Sequence, residues 1–169
     1  MLVFICALAC FSWGHAQTST SVSIELPSGQ VLAPLVLSNG YLSQPVQTSL
    51  AESGRASWKF TITVPGQYAL LAMVETQSDS PNSFLVNIDA EPEEPTMIWD
   101  IPARTGPQKR IVSWRGQGTP EKNEFAPKYF ALNPGEHELI LRGCEAGVKL
   151  QSLTVVKRPS PVQQVGIVK

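Results

Sequence analysis

The dominant periodicity of this chain is an alternation of apolar and polar side chains, the pattern of a β-strand whose successive residues point to opposite faces. Residues 56–64, ASWKFTITV, put Trp58, Phe60, Ile62 and Val64 on one face and Lys59, Thr61 and Thr63 on the other. Pro65-Gly66 supplies the two central residues of a type II turn. Residues 67–75 then return with Tyr68, Leu70, Ala72 and Val74 on one face and Leu71 and Met73 on the other, the signature of a central strand. Residues 83–90 set Phe84, Val86 and Ile88 against Asn87 and Asp89, and further strands are expected at 22–26, 31–37, 96–101, 109–115, 128–132, 136–142 and 148–156. Asn133-Pro134-Gly135 and residues 143–147 read as turns between the last three. Outside the N-terminal leader, no window of helical length repeats at i, i+3, i+4 and i+7 between helix start and stop signals, so almost no helix is expected. About ten short strands with regular turns predict an all-β fold, an antiparallel two-sheet sandwich of which the jelly roll is one arrangement.

The first sixteen residues fall outside that pattern. Residues 2–11 are an unbroken apolar stretch, and Gly14 and Ala16 occupy the minus-three and minus-one positions of a signal-peptidase site, so cleavage is expected after Ala16. Ala7-Leu8-Ala9-Cys10 also resembles a lipoprotein box with its Leu one place too late, which keeps a cell-surface lipoprotein as the lesser alternative to secretion or export to a periplasm. The stretch is shorter than the roughly 20 residues that span a bilayer, so no transmembrane segment is expected. The domain is then expected to run from residue 17 to 157, followed by a tail, 158–169, that carries Pro159 and Pro161 and ends exposed or leads to a larger secreted assembly.

Composition narrows the chemistry. With 169 residues, 43% of them apolar, the chain is long enough for one domain with a proper core. Its 13 basic and 14 acidic side chains provide no basic field for a phosphate backbone, so nucleic acid is not an expected partner. Cleavage would leave Cys144 as the single thiol, in the turn around Arg142-Gly143-Cys144-Glu145, expected to be a half-buried small residue. It would leave His137 as the single histidine, expected to be a satisfied structural group on the face of Leu139 and Leu141. One histidine excludes a His-cluster zinc site, and the chain holds neither a Gly-x-Ser-x-Gly elbow nor a His-Glu-x-x-His motif. A pair of carboxylates drawn from Asp89, Glu91, Glu93, Glu94 and Asp100 keeps a small glycoside hydrolase open as a third reading. Most of these acids share a Pro-bounded loop, expected to be solvated, with calcium binding as the alternative.

Aromatic residues carry more information, because sugar rings stack their C–H faces on indole or phenol while neighbouring polar side chains bind the hydroxyls. Trp58 is in phase with Phe60, Ile62 and Val64 and belongs to the core. Trp99, Trp114 and Tyr41, read as a loop aromatic after the turn Ser38-Asn39-Gly40, are candidate platforms, with Asn82, Asp100 and Arg115 as hydroxyl-binding partners. Trp99 and Trp114 each precede a charge, which in a strand points to the opposite face.

Several motifs follow one another in a familiar order: Ser23-Ile24-Glu25, residues 53–60 (SGRASWKF), residues 64–68 (VPGQY), residues 82–89 (NSFLVNID), Ile98-Trp99-Asp100 and residues 134–137 (PGEH). This ordered set resembles the galactose-binding-like β-sandwiches of carbohydrate-binding module families 6 and 35, over roughly residues 22 to 157. The resemblance implies a secreted, non-catalytic module that holds its carrier on carbohydrate or polysaccharide. It also implies a structural calcium, with Glu25 matching one of its acidic ligands. The set is degenerate, since Pro27 stands where a second acid would be and Gln151 replaces the Asp of the last strand, so calcium is expected to bind poorly and no other cofactor is implied. Pro107-Gln108 stands where such modules commonly carry an aromatic before the strand holding Arg110, so glycan binding rests on Trp99, Trp114 or Tyr41. The alternative is a structural or protein-interaction sandwich that has lost its sugar site.

Overall fold

The computed structural model describes residues 21–76, 82–119 and 124–159, without the side chains of 116–119 and 124–125. The expected signal peptide, the Cys10 box and the tail beyond Pro159 lie outside the described residues. Fourteen strands and two short 3₁₀ turns, Leu26–Ser28 and Leu50–Glu52, make up its regular structure. The strands are β1 (Ser21–Ile24), β2 (Gln30–Leu32), β3 (Val36–Ser38), β4 (Tyr41–Ser43), β5 (Arg55–Ile62), β6 (Gly66–Glu75) and β7 (Ser83–Ile88), then β8 (Ile98–Asp100), β9 (Gln108–Ile111), β10 (Ser113–Thr119), β11 (Glu124–Pro127), β12 (Phe130–Leu132), β13 (Gly135–Gly143) and β14 (Lys149–Lys157).

Two antiparallel sheets face each other. In the first, β6 and β14 pair at the centre; β14 is flanked by β4 at Lys149–Leu150 and by β1 at Leu153–Val156, and β6 by β12 and β9. In the second, the order is β2-β5-β13-β7-β8, while β10 and β11 form a separate ribbon. The predicted faces meet between the sheets: Trp58, Phe60, Ile62, Tyr68, Leu70, Val74, Phe84, Val86, Leu139 and Leu141 belong to one buried core. Trp58 donates its indole N–H to the carbonyl of Leu26 at 3.0 Å. Gly29 lies so close beneath that ring that an added Cβ would fall 2.2 Å from Nε1, which is why the position needs a glycine.

Several boundaries differ from the sequence pattern, and each differs where the chain changes partner. The expected strand 31–37 is two strands: β2 pairs with β5 in one sheet, β3 with β4 in the other, and Ala33-Pro34 marks the crossing. The expected strand 109–115 divides at buried Val112, where β9 leaves β6 and β10 joins β11. Pro65-Gly66 is not a type II turn. Gly66 lacks the positive φ that such a turn requires and opens β6, because the chain passes from one sheet to the other instead of closing a hairpin. Tyr41 is not a loop residue either: Asn39 and Gly40, at φ 52° and 81°, close a tight hairpin whose return strand begins at Tyr41.

The outer face of the second sheet is partly covered. Leu85, Ile98 and Ile140 point away from the main core by strand alternation and are nevertheless buried, as are both faces of β7. The acidic loop after β7 is tied to this face. Glu91 accepts from Arg55 Nε at 2.7 Å and from Arg142 Nη1 at 3.3 Å, both on that outer face, and Pro92 is buried. The loop is solvated as expected, exposed at all of residues 89–96 but Pro92, and ion pairs of Glu91 also pin it to the sheet.

Candidate functional site

Asp100 and Arg115, neighbours of the two candidate tryptophans, meet in a two-pronged ion pair. Arg115 Nε donates to Asp100 Oδ2 at 2.8 Å and Nη2 donates to Oδ1. Hydrogen bonding to the Asp100 carboxylate holds the Arg115 guanidinium above its ordinary pKa. Strand alternation explains the placement, since Trp99 and Phe84 point into the core and Asp100 and Ser83, directly paired across β7 and β8, point outward. Asn82 sits one residue before Ser83, buried, and its carbonyl accepts the Ile101 N–H at 2.8 Å. Glu145, in the turn after β13, completes the group. Its desolvation, reinforced by the charge of Asp100, pushes its pKa up against the opposing influence of Ser83 and Arg115. One of its carboxylate oxygens, Oε2, is buried without a hydrogen-bond partner among the described residues.

The aromatics do not join this cluster as a platform. Trp99 is 1% exposed and packs against Phe84, with ring centroids 6.4 Å apart, so it is a core residue and its candidacy as a stacking surface ends there. Its position follows from alternation: the charge of Asp100 is in water and the ring beside it is inside. Trp114 is half-buried. Its indole N–H donates to the Val86 carbonyl at 2.9 Å, its edge meets Phe130, and the Lys128 ammonium stands 3.8 Å from its ring centre. Tyr41 is half-buried on the other sheet with Lys149 Nζ 5.1 Å from its ring centre. Sequence periodicity could not reveal these lysines over the rings, because they arrive from other segments of the chain, Lys128 from the β11–β12 connection and Lys149 from β14.

The remaining titratable candidates serve the fold. His137 is satisfied as expected: Nδ1 lies 2.7 Å from Asp89 Oδ2 and Nε2 2.8 Å from the Asn133 carbonyl. Burial disfavours its charged form, but the hydrogen bonds to Asn133 and Asp89 outweigh that and raise its pKa. Cys144 is half-buried, with desolvation and then Glu94 and Glu145 pushing its pKa up to about 11. A thiol in that state is a poor nucleophile at neutral pH.

The positions implied for calcium do come together. Glu25, Pro27 and Gln151 line one depression of about 410 Å³ between β1 and the β3–β4 hairpin. The donor set does not fit the ion, since Glu25 is the one carboxylate in that lining and calcium needs six to eight oxygen ligands, commonly several of them charged. No group of three His, Cys, Asp or Glu side chains suited to a metal occurs among the described residues.

No family model matches the chain, and no curated protein matches it by sequence. Solved structures do. The chain is similar to a family 35 carbohydrate binding module from Clostridium thermocellum, at 13% identity over 80% of this chain and 97% of that one, with a TM-score of 0.57. It is similar to a GH26-CBM35 β-(1,4)-mannanase from Podospora anserina (12% identity, 88% of this chain, 30% of that one, TM-score 0.54). It also matches an exo-β-1,3-galactanase from Phanerochaete chrysosporium, solved with β-1,3-galactotriose (13% identity, 81% of this chain, 29% of that one, TM-score 0.54). The chain thus spans nearly all of the module and under a third of either enzyme. The fold is the β-sandwich of carbohydrate-binding modules of the family 35 type, as the motif order implied.

Proposed function

We propose that this chain is a secreted, non-catalytic module that binds carbohydrate weakly at the Asp100–Arg115 end of its second sheet. The observation that supports this most directly is the cluster itself: a half-exposed guanidinium–carboxylate fork, a second carboxylate with an unpartnered oxygen, and the polar strand start Asn82-Ser83, all at one end of the outer face. The half-exposed fork offers a donor and an acceptor to vicinal hydroxyls, which a sugar presents in pairs, with the buried groups behind it forming a polar backing. Binding is weak in this reading because stacking contributes little, Trp99 being inside and Trp114 already covered by Lys128. The non-catalytic reading has physical support too. Asp89 and Glu91 are tied into pairs with His137 and the arginines, and both nitrogens of His137 are committed.

The test is retention of the protein on a panel of soluble polysaccharides in affinity electrophoresis, comparing the wild type with Asp100→Ala and Arg115→Ala. The expected result is retention on at least one polysaccharide and its loss in both variants, with melting temperatures nearly unchanged. Retention that survives both substitutions would sink the assignment to this cluster. The buried Trp99 and the lysine-covered rings favour a second reading, a protein-interaction sandwich without a sugar site. It predicts no retention on any polysaccharide by the wild type.

A further inference from the structure

The depression that the calcium ligands would line is better suited to a different ligand, and we infer that it is a second saccharide subsite, one that takes a single uncharged pyranose ring by its hydroxyls. Its construction comes from a change of partner along β14. That strand pairs with β4 at Lys149–Leu150 and with β1 from Leu153 onward, and its register against β6 slips between Leu150 and Ser152. An extra residue in a strand bends it and re-aims a side chain. Here the extra residue is Gln151, and it lines the gap left between the two partners. The tight Asn39-Gly40 hairpin walls one side and Ser23 to Pro27 the other.

What marks this notch is that several uncommitted polar side chains gather around one depression. Gln44, Arg55, Gln108, Arg142, Asp89 and His137, by contrast, all have partners within the protein. Glu25, Asn39, Gln151, Ser23, Ser38 and Thr154 line the notch. Among the described residues none of these side chains makes a hydrogen bond or ion pair within the protein.

The chemistry of the six selects the ligand class. Two amides and three hydroxyls provide donors and acceptors together, which matches a polyol, whose every hydroxyl is both. One carboxylate can accept from two adjacent hydroxyls at once. A divalent cation would lack charged ligands here. An acidic sugar would meet Glu25 with no Lys, Arg or His in the lining to offset it. With no aromatic in the lining either, the hydroxyls carry the recognition. A volume of about 410 Å³ lies within the range of small-ligand pockets. The inference takes its ligand class, but not its place, from the carbohydrate reading above.

Backbone-amide NMR on the full mature chain can test the two places independently. The probes are the methyl glycosides of galactose, glucose and mannose at high-millimolar concentration, then galacturonic acid, then calcium chloride. At least one neutral glycoside should produce saturable shifts at Asn39, Gly40, Gln151 and Ser152, galacturonic acid should bind there more weakly than galactose, and calcium should not compete. Glu25→Gln and Gln151→Ala should each weaken that response by about tenfold, the loss of one or two charge-assisted or neutral hydrogen bonds. Both side chains lie at the surface, so melting temperatures should hold. Shifts confined to Asn82, Ser83 and Asp100 would overturn this inference and leave the loop-end reading standing. Shifts confined to the notch would do the reverse. No shift at either place overturns both, and calcium binding in the notch, or a preference for the uronate, overturns the assignment of ligand.

Discussion

Trp99→Ala separates a core ring from a binding ring, and the structure sets its size. The indole is 1% exposed, on the inner face of β8 against Phe84. Truncation removes the transfer free energy of the whole ring and leaves a cavity that a sandwich held by two sheets cannot collapse, so the loss should be about 3–5 kcal/mol. For a domain of this size each kcal/mol moves the midpoint by roughly 3 to 5 °C, which gives a fall of about 10 °C or more. Trp99→Phe keeps most of the volume and should recover more than half of the loss. The assay is thermal and urea denaturation followed by tryptophan fluorescence, together with carbohydrate retention measured well below the lowered midpoint. Stability should fall steeply while the folded fraction retains carbohydrate as the wild type does. A Trp99→Ala protein that melts within a degree or two of the wild type but no longer binds sugar would refute the placement of this ring.

Three further outcomes follow from the same geometry. Because the pKa of His137 is raised in the folded state, its contribution is complete below its unfolded value, about 6.5, and is lost as pH rises through the folded pKa; His137→Gln should flatten that part of the stability–pH curve, measured by urea titration at stepped pH. Gln44 is fully buried, donating to the Val46 carbonyl and the Thr48 hydroxyl and accepting the Gly54 N–H at 3.0 Å. Gln44→Ala orphans that N–H and should cost about 3 kcal/mol in denaturation, and a loss under 1 kcal/mol would contradict it. Cys144, with its pKa pushed up to about 11, should react with iodoacetamide far more slowly at pH 7.5 than a free cysteine, and alkylation at the rate of free cysteine would contradict the burial assigned to it.

The sandwich was legible in the sequence because the strands turn one face to the core, and burial of that face writes a two-residue period into the chain. Strands β5, β6, β7, β13 and β14 carry that period through Trp58, Phe60, Tyr68, Leu70, Phe84, Leu139 and Val155, and they are the strands at the centre of the two sheets. The same rule fails where a segment changes sheets. Leu32 and Val36 are exposed on either side of a crossing, so the alternation across 31–37 has no single face to report. The hairpin at Tyr41 did carry a readable signal, Asn39-Gly40 between Leu37 and Leu42, and its meaning as a two-residue turn places Tyr41 on a strand.

Functional residues are less legible because they depend on which distant segments share a face. Asp100 and Arg115 can be singled out beside their tryptophans, and the fold does bring them together, yet by the same alternation it turns Trp99 inward. Glu145 and Lys128 enter through pairings of β13 with β7 and of β10 with β11, which no local pattern encodes. The calcium-like triad shows the opposite case. Glu25, Pro27 and Gln151 lie 126 residues apart at the extremes, from first strand to last, and the β1–β14 pairing makes them neighbours whatever their chemistry. A scaffold of this kind holds the position and leaves the ligand to the side chains. With one carboxylate among uncommitted neutral polar groups, the depression has room for a small ligand and a charge that does not suit a cation, and that combination is why a neutral polyol is the ligand to offer it.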